Sequence, residues 1–178
     1  MGCKLQANIT KENCQYMVAG VKALYLFNYD STNTYTFEDE AIKTITLANG
    51  EKAYRIDFLE GSASWSDELA VNGNGGKYRT HTVNFTLSEY NYNVLNQGNA
   101  LSLGKFTAVV VDKSGRVVIL GRNNGLSATS FNYASGAADA DANGWTTVLV
   151  GTETEIGKLL KDESVVSSVA AENIEVEP

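Results

Sequence analysis

The sequence predicts a mainly β protein: a β-sandwich or barrel of antiparallel strands with one flanking α-helix. Three observations lead there. The 178 residues include 17 Asn and 16 Gly but a single proline, Pro178. Asn and Gly supply the positive-φ positions that tight turns need, so the chain turns often without proline. Short apolar or alternating runs recur between those turn residues at the length of strands. Only one long stretch carries helical periodicity. The length suits one domain, read as residues 1–152, followed by a short helix and an acidic tail over 153–178. With 43% hydrophobic residues the chain can build a core.

Taken in order, Met17–Tyr29 reads as the first strand. Ile45–Leu47 and Tyr54–Phe58 flank Asn49-Gly50, the strongest short hairpin signal, because a type I′ turn needs φ > 0 at both central residues. Ser64–Val71 is a weaker strand and Tyr78–Phe85 a stronger one. The helix is expected over about 86–97, capped by Thr86 or Ser88, with Leu87, Tyr90 and Val94 on one face and Gly98 after its last turn. Phe106–Asp112 and Arg116–Leu120, joined by Lys113-Ser114-Gly115, are almost continuously apolar. Strands covered on both faces read this way, so this hairpin belongs at the centre of the sheet. Leu126–Tyr133 and Trp145–Thr152 complete the strands, with Ala134–Asn143 as a loop between them. A second short helix is expected over Glu155–Lys161. From Asp162 the chain reads as an acidic tail, either mobile or ordered only by a partner, whose deletion leaves the fold intact.

Candidate chemistry is sparse. His81, the single histidine, shares strand parity with Val83 and Phe85 and reads as a packed or hydrogen-bonded core residue. Asp139, Asp141, Asn143 and Gly144 resemble the opening of a calcium loop, but Val150 stands where the closing Glu should be, so a solvated turn is the stronger reading. Gly73-Asn74-Gly75-Gly76 lacks the Lys-Ser/Thr and the following helix of a phosphate loop and reads as a loop tip. Asp57/Glu60 and Asp67/Glu68 are paired acids, but no pattern gathers them into a glycosidase pair. Asn8-Ile9-Thr10 and Asn84-Phe85-Thr86 are glycosylation sequons by letter alone. Cys3 and Cys14 match no zinc pattern. No catalytic set, cofactor motif or metal set emerges, and the expectation is a protein that is not an enzyme.

Met1–Asn8 has no apolar run, which points to synthesis in a cytoplasm and to reduced Cys3 and Cys14. No apolar run has the length of a membrane span. A formal charge of −7 is the wrong sign for gripping nucleic-acid phosphates. Tyr25, Tyr29, Tyr35, Tyr54, Tyr78, Tyr90, Tyr92, Tyr133, Trp65 and Trp145 suit either sugar stacking or protein–protein contact. Strand edges without proline are free to add to a neighbour's sheet.

A resemblance sharpens this. The stretch Cys14–Asn28 resembles the start of structural proteins of tailed phages of Bacteroidetes-type hosts. Ala108–Asp112, then Gly115–Leu126, a small-residue loop and Asp141–Gly151 resemble the closing half of major tail (tail tube) proteins. The resemblance spans most of residues 14–152. It implies a β-sandwich or barrel with one helix, whose copies form rings, commonly hexameric, around a β-lined channel in a virion. The rings stack through loops and terminal arms beside neighbouring tail or neck proteins. Genomic DNA passes through such a channel without specific binding, consistent with an acidic wall. Neck or collar rings, and a carbohydrate- or host-surface-binding β-sandwich, are the alternative readings.

Overall fold

The structure, a computed structural model, describes residues 4–11 and 16–172. Cys3, Cys14 and Glu175–Pro178 lie outside the described residues. The strands in chain order are β1 (Val21–Asn28), β2 (Thr34–Glu38), β3 (Ala41–Thr46), β4 (Tyr54–Ile56), β5 (Ser64–Val71) and β6 (Lys77–Leu87), then, after helix α1 (Tyr92–Leu103), β7 (Lys105–Asp112), β8 (Val117–Leu120), β9 (Leu126–Ala134), β10 (Gly144–Glu153) and β11 (Lys158–Leu159). A single-turn helix, α2 (Ser164–Ser167), follows.

β7 is the pivot. It pairs antiparallel with β1 on one side, and on the other first with β9 and then with β8. The sheet runs β11-β8-β7-β9-β10-β6-β5, with β1 and β4 branching from β7. It folds over itself where Lys105 and Phe106 face Ser127 and Leu126. Every residue of Phe106–Asp112 and of β8 is buried. The near-continuous apolar run still obeys a period of two. Val109, Val111, Val117 and Ile119 join Ala23, Tyr25 and Phe27 in one core. Ala108, Val110, Val118 and Leu120 join Leu24 and Leu26 in another. The first core is closed by Ile42 and Ile45 of β3, by Leu160, and by Val165 and Val166 of α2. The second is closed by Val83 and Phe85 of β6, Leu126 of β9 and Leu149 of β10. The protein is therefore an antiparallel β-sandwich with a flanking helix, its middle layer covered on both sides, as the sequence predicts for the β7–β8 hairpin.

Four expectations need correction. Asn49 and Gly50 do adopt φ of 53° and 71°, and the Glu51 amide donates to Ala48 O at 3.0 Å, but the flanking strands do not pair. β3 pairs with β2, and β4 with β1. The turn residues fix the turn; burial of Ile42 and Ile45 in one core, and the seat of β4 beside β1, decide the partners. The helix begins six residues later than expected. Thr86 and Leu87 are held in the ladder opposite Thr146 and Trp145, so Asn91 caps α1, its Oδ1 accepting from Val94 N at 3.0 Å. Gly98 lies inside α1, where a Cβ would stand 3.0 Å from the Phe131 ring. Glu155–Lys161 is not helical: Lys158 and Leu159 pair with Ile119 and Val118. Finally, the segment after Asp162 is packed. Val166 is fully buried, and Ala53 N donates to Val169 O while Ala171 N donates to Ala53 O.

The packed C-terminal segment reverses the expectation for its removal. Deleting 162–178 strips Val165, Val166 and the backbone bonds to Ala53 from one core, and Val166→Asp buries an unpaired charge there. Chemical denaturation should find Val166→Asp destabilised by about 3 kcal/mol or more, and the deleted chain unfolded or molten. A deletion variant as stable as the full chain would contradict this packing.

Candidate assembly surface and buried polar network

The hairpin β5–β6 places Asp67 opposite His81 and Leu69 opposite Arg79. All four side chains share the inward parity, and His81 is 1% exposed. Arg79 donates from Nε to Asp67 Oδ1 at 2.7 Å and from Nη2 to Asp67 O at 3.0 Å. Gly157 N donates to Asp67 Oδ2 at 3.0 Å. His81 Nδ1 accepts from Gly121 N at 3.2 Å, which assigns the ring proton to Nε2. Nε2 stands 3.4 Å from Asp67 Oδ1, an approach that does not meet hydrogen-bond geometry. Burial pushes the Asp67 carboxyl up, but the hydrogen bonds from Arg79 and Gly157 and the Arg79 charge outweigh it and hold Asp67 below its usual range. Nearby, buried Glu153 accepts from Asn123 N (3.2 Å) and Asn124 N (2.8 Å). Arg122 grips Glu155 with two bonds of 2.6 and 2.8 Å and lies over the rings of Tyr35 and Phe37. Burial pushes the Tyr35 hydroxyl up to about 12.

This network is a set of clips between layers. Trp65 Nε1 donating to Asp112 Oδ1 at 2.8 Å adds another. The side chains of His81 and Asp67 are buried and face packed protein. His81 is thus the packed strand residue its parity predicts. The network itself was missed, although the hairpin is symmetric about Asn74 and that symmetry alone pairs residue 67 with residue 81.

The other candidates scatter. Asp57 and Glu60 are exposed, at 3.5 Å from Arg55 and 4.0 Å from Lys113, away from Asp67, while Glu68 has the opposite parity to Asp67. Asp141 spends a carboxylate oxygen on Ala137 N and Ala138 N, both at 2.8 Å, stabilising its own loop. Among the described residues no three His, Cys, Asp or Glu side chains gather as metal ligands, and no helix is long and apolar enough to cross a membrane. Gly73–Gly76 forms the β5–β6 loop tip, where Asn72 Oδ1 accepts from Asn74 N and Gly76 N. Asn8 is exposed, and Asn84 lies within β6, donating to Ser64 Oγ. Of the ten aromatics, Tyr54, Tyr90, Tyr92 and Tyr133 are exposed. Trp145 is stacked between Phe131 (centroids 4.5 Å apart) and Tyr90 (5.5 Å), so it offers no open platform.

What the structure does leave open is a sheet. β9, β10, β6 and β5 turn one face to the core and the other outward. The rows Asn132–Thr146–Thr86, Ser130–Val148–Asn84–Ser64, Ser127–Val150–Thr82–Ser66 and Thr152–Thr80–Glu68 run across the outward face. These side chains are Ser, Thr, Asn and Val with one carboxylate; Lys77 and Arg79 have the inward parity. The side chains on this face are exposed or half-buried. Among the described residues both margins are also unpaired: β5 pairs with β6 alone, and β9 from Ala128 onward with β10 alone. The described N-terminal residues 4–11 and 16–20 are exposed, including Leu5, Ile9, Tyr16, Met17 and Val18.

No family model, curated protein or solved structure matches this chain.

Two consequences are measurable. A carboxyl held low in the fold contributes stability above its unfolded pKa and loses it in acid. The Asp67 contribution is therefore complete above about pH 4 and fades below. Asp67→Ala should cost about 3 kcal/mol at pH 7, by stranding Arg79 and the Gly157 amide, and flatten the acid limb of the stability profile. Tyr35 has the opposite sense. Its raised pKa makes stability fall as pH climbs from about 10 to 12, because the unfolded phenol ionises first. Tyr35→Phe should remove that alkaline decline in urea melts; an unchanged profile would refute the burial of the phenol.

Proposed function

We propose that this chain is a ring-forming structural subunit and, taking the sequence resemblance with the geometry, a tail tube subunit of a phage virion. Its stacked rings would enclose a channel that conducts DNA. The observation that carries the reading is the bare four-stranded sheet with two unpaired margins. β9, β10, β6 and β5 alternate in direction. Four is an even number, so a second copy in the same orientation sets its β9 antiparallel to β5 of the first. The head-to-tail contact closes into a ring when its rotation closes.

The body of the molecule lies behind the sheet, which makes the Ser/Thr/Asn face the wall of the hole. Strands at ~4.8 Å spacing give ~19 Å of wall per copy, so six copies give a backbone circle ~37 Å across. Apart from Lys105, opposite Ser127 at one end of a row, a wall with hydroxyls, amides and Glu68 offers a polyanion little to bind, which suits passage without retention. No reacting group is part of this function.

Negative-stain microscopy of the concentrated protein tests it. Rings with a central hole, stacked into tubes, are expected; single rings that never stack point instead to a neck or collar ring. Replacing Thr82 and Thr146 with Lys should leave the monomer's melting temperature nearly unchanged and make the rings retain DNA in a gel-shift assay. A monodisperse monomer at high concentration, with no particles, would overturn the assembly reading.

A further inference from the structure

Five asparagines precede glycine: Asn49, Asn72, Asn74, Asn124 and Asn143. In such a pair the glycine nitrogen attacks the side-chain carbonyl carbon of the asparagine most readily, because no Cβ on the second residue shields it. The fold treats the five pairs differently. Asn124 Nδ2, the leaving group, donates to Thr152 O at 2.9 Å, and Gly125 N donates to Gly121 O at 3.1 Å, so both reacting nitrogens are occupied. Gly75 N, the nucleophile for Asn74, donates to Asn72 O at 3.0 Å. Gly144 is buried and stands opposite Ala134 in the β9–β10 ladder. Asn49 and Gly50 are fixed within a single 3₁₀ turn.

Asn72, at the tip of the β5–β6 hairpin, is arranged in the opposite sense. Its Oδ1 accepts from Gly76 N at 2.8 Å and from Asn74 N at 3.1 Å. Asn72 N donates to Gly76 O at 2.9 Å, which closes the tip around that side chain. From 73 to 76, Gly73 N is the one amide that takes no part in these bonds. The ring closed by Asn74 N–H and Oδ1 runs through Asn72 Cγ and the Gly73 nitrogen, so the nucleophile and the carbon it attacks are kept in one small loop. Residues 71–77 are all exposed, which admits water and hydroxide.

We propose that Asn72 is a self-modifying site, converted to aspartate or isoaspartate through a succinimide, with the Gly76 and Asn74 amides as its oxyanion hole. Hydroxide removes the Gly73 N–H proton, and the nitrogen attacks Asn72 Cγ. The N–Cγ bond forms while charge develops on Oδ1, where the two amides already point. The Cγ–Nδ2 bond then breaks, and Nδ2 leaves as ammonia with a proton from water. Water opens the five-membered ring at either carbonyl, so the net change is an amide plus water to a carboxylate plus ammonia. The aspartate product keeps both acceptor bonds, now charge-assisted, and adds a negative charge at the hairpin tip. The isoaspartate product lengthens the backbone inside the closure between Asn72 and Gly76.

Peptide mapping by mass spectrometry tests this on the full chain, incubated folded and in urea in mildly alkaline buffer made with heavy-oxygen water. Trypsin releases Ile56–Lys77, which carries Asn72 and Asn74, and fragmentation separates the two. Conversion is expected first at Asn72, with heavy oxygen incorporated there. It should run about tenfold faster in the folded chain than in urea, less than such donors give in a closed, dry site. Gly73→Ala should slow it severalfold without moving the thermal melt, because Gly73 lies outside the left-handed region and its added Cβ meets nothing within 4 Å. Conversion at Asn72 that is equally fast or slower in the folded chain overturns the proposal, since the tip would then hold the side chain without activating it. So does earlier conversion of any of the other four asparagines in the folded chain, or an unchanged rate in Gly73→Ala, which would route the reaction around the Gly73 nitrogen.

Discussion

The structure depends on one constraint: the middle layer formed by β1, β7 and β8 must be dry on both faces. Leu24, Ala108, Val109, Val110 and Leu120 have no exposed surface at all. At roughly 25 cal/mol per Å² this burial is the main stabilising term available, and it needs a cover on each side. β3, the strand leading into Leu160 and α2 provide one; β6, β9 and β10 provide the other. The rest of the topology follows from supplying these covers. The C-terminal segment is recruited as a lid, and the second half of the sheet is folded back at the Phe106–Leu126 corner.

That second half pays for its position by leaving its other face uncovered. A sheet packed on one side presents alternate residues to the outside, and here they are Ser, Thr and Asn in place of the usual charges. The edge strand β5 is also held firmly from behind. Trp65 is tied to Asp112 of β7, Asp67 to Gly157, and His81 to the Gly121 amide at the end of β8. These clips fix the inner side of β5 and β6 relative to the middle layer. An edge fixed in this way loses little further entropy on pairing with another strand, which favours association over fraying.

Much of this was legible in the sequence, and what was not had a physical reason. The unbroken apolar run Ala108–Val111 and its return Val117–Leu120 announce strands buried on both faces, because no other short element needs such a pattern. Ser64–Val71, Tyr78–Phe85, Leu126–Tyr133 and Trp145–Thr152 are set by alternation and found nearly where expected. Partners are less readable than strands. Asn49-Gly50 encodes a turn, but the choice between pairing its neighbours and sending them to different strands belongs to distant burial at Ile42 and Ala53. The helix start was misplaced because capping residues occur at Thr86, Ser88 and Asn91, and the ladder with β10 claims the first. The tail looked polar because Val165 and Val166 are two residues among Ser and Glu, too few for a periodic signal yet enough to seal a core. The candidate surface was invisible for a related reason: a neutral hydroxyl face has no motif, and only the register that aligns Thr80, Thr82, Thr146 and Thr152 turns scattered residues into a wall.

The central claim is that the margins of β5 and β9 are open in the isolated chain and become paired between copies. Hydrogen–deuterium exchange, followed segment by segment at low and high protein concentration, addresses it most directly. The account predicts fast exchange at one set of alternate amides in β5 and in β9 beyond Ala128 when dilute, with protection rising steeply in those two strands alone as concentration increases, while β7 and β8 stay slow throughout. Margins already protected in the dilute chain, or exchange that ignores concentration, would contradict it.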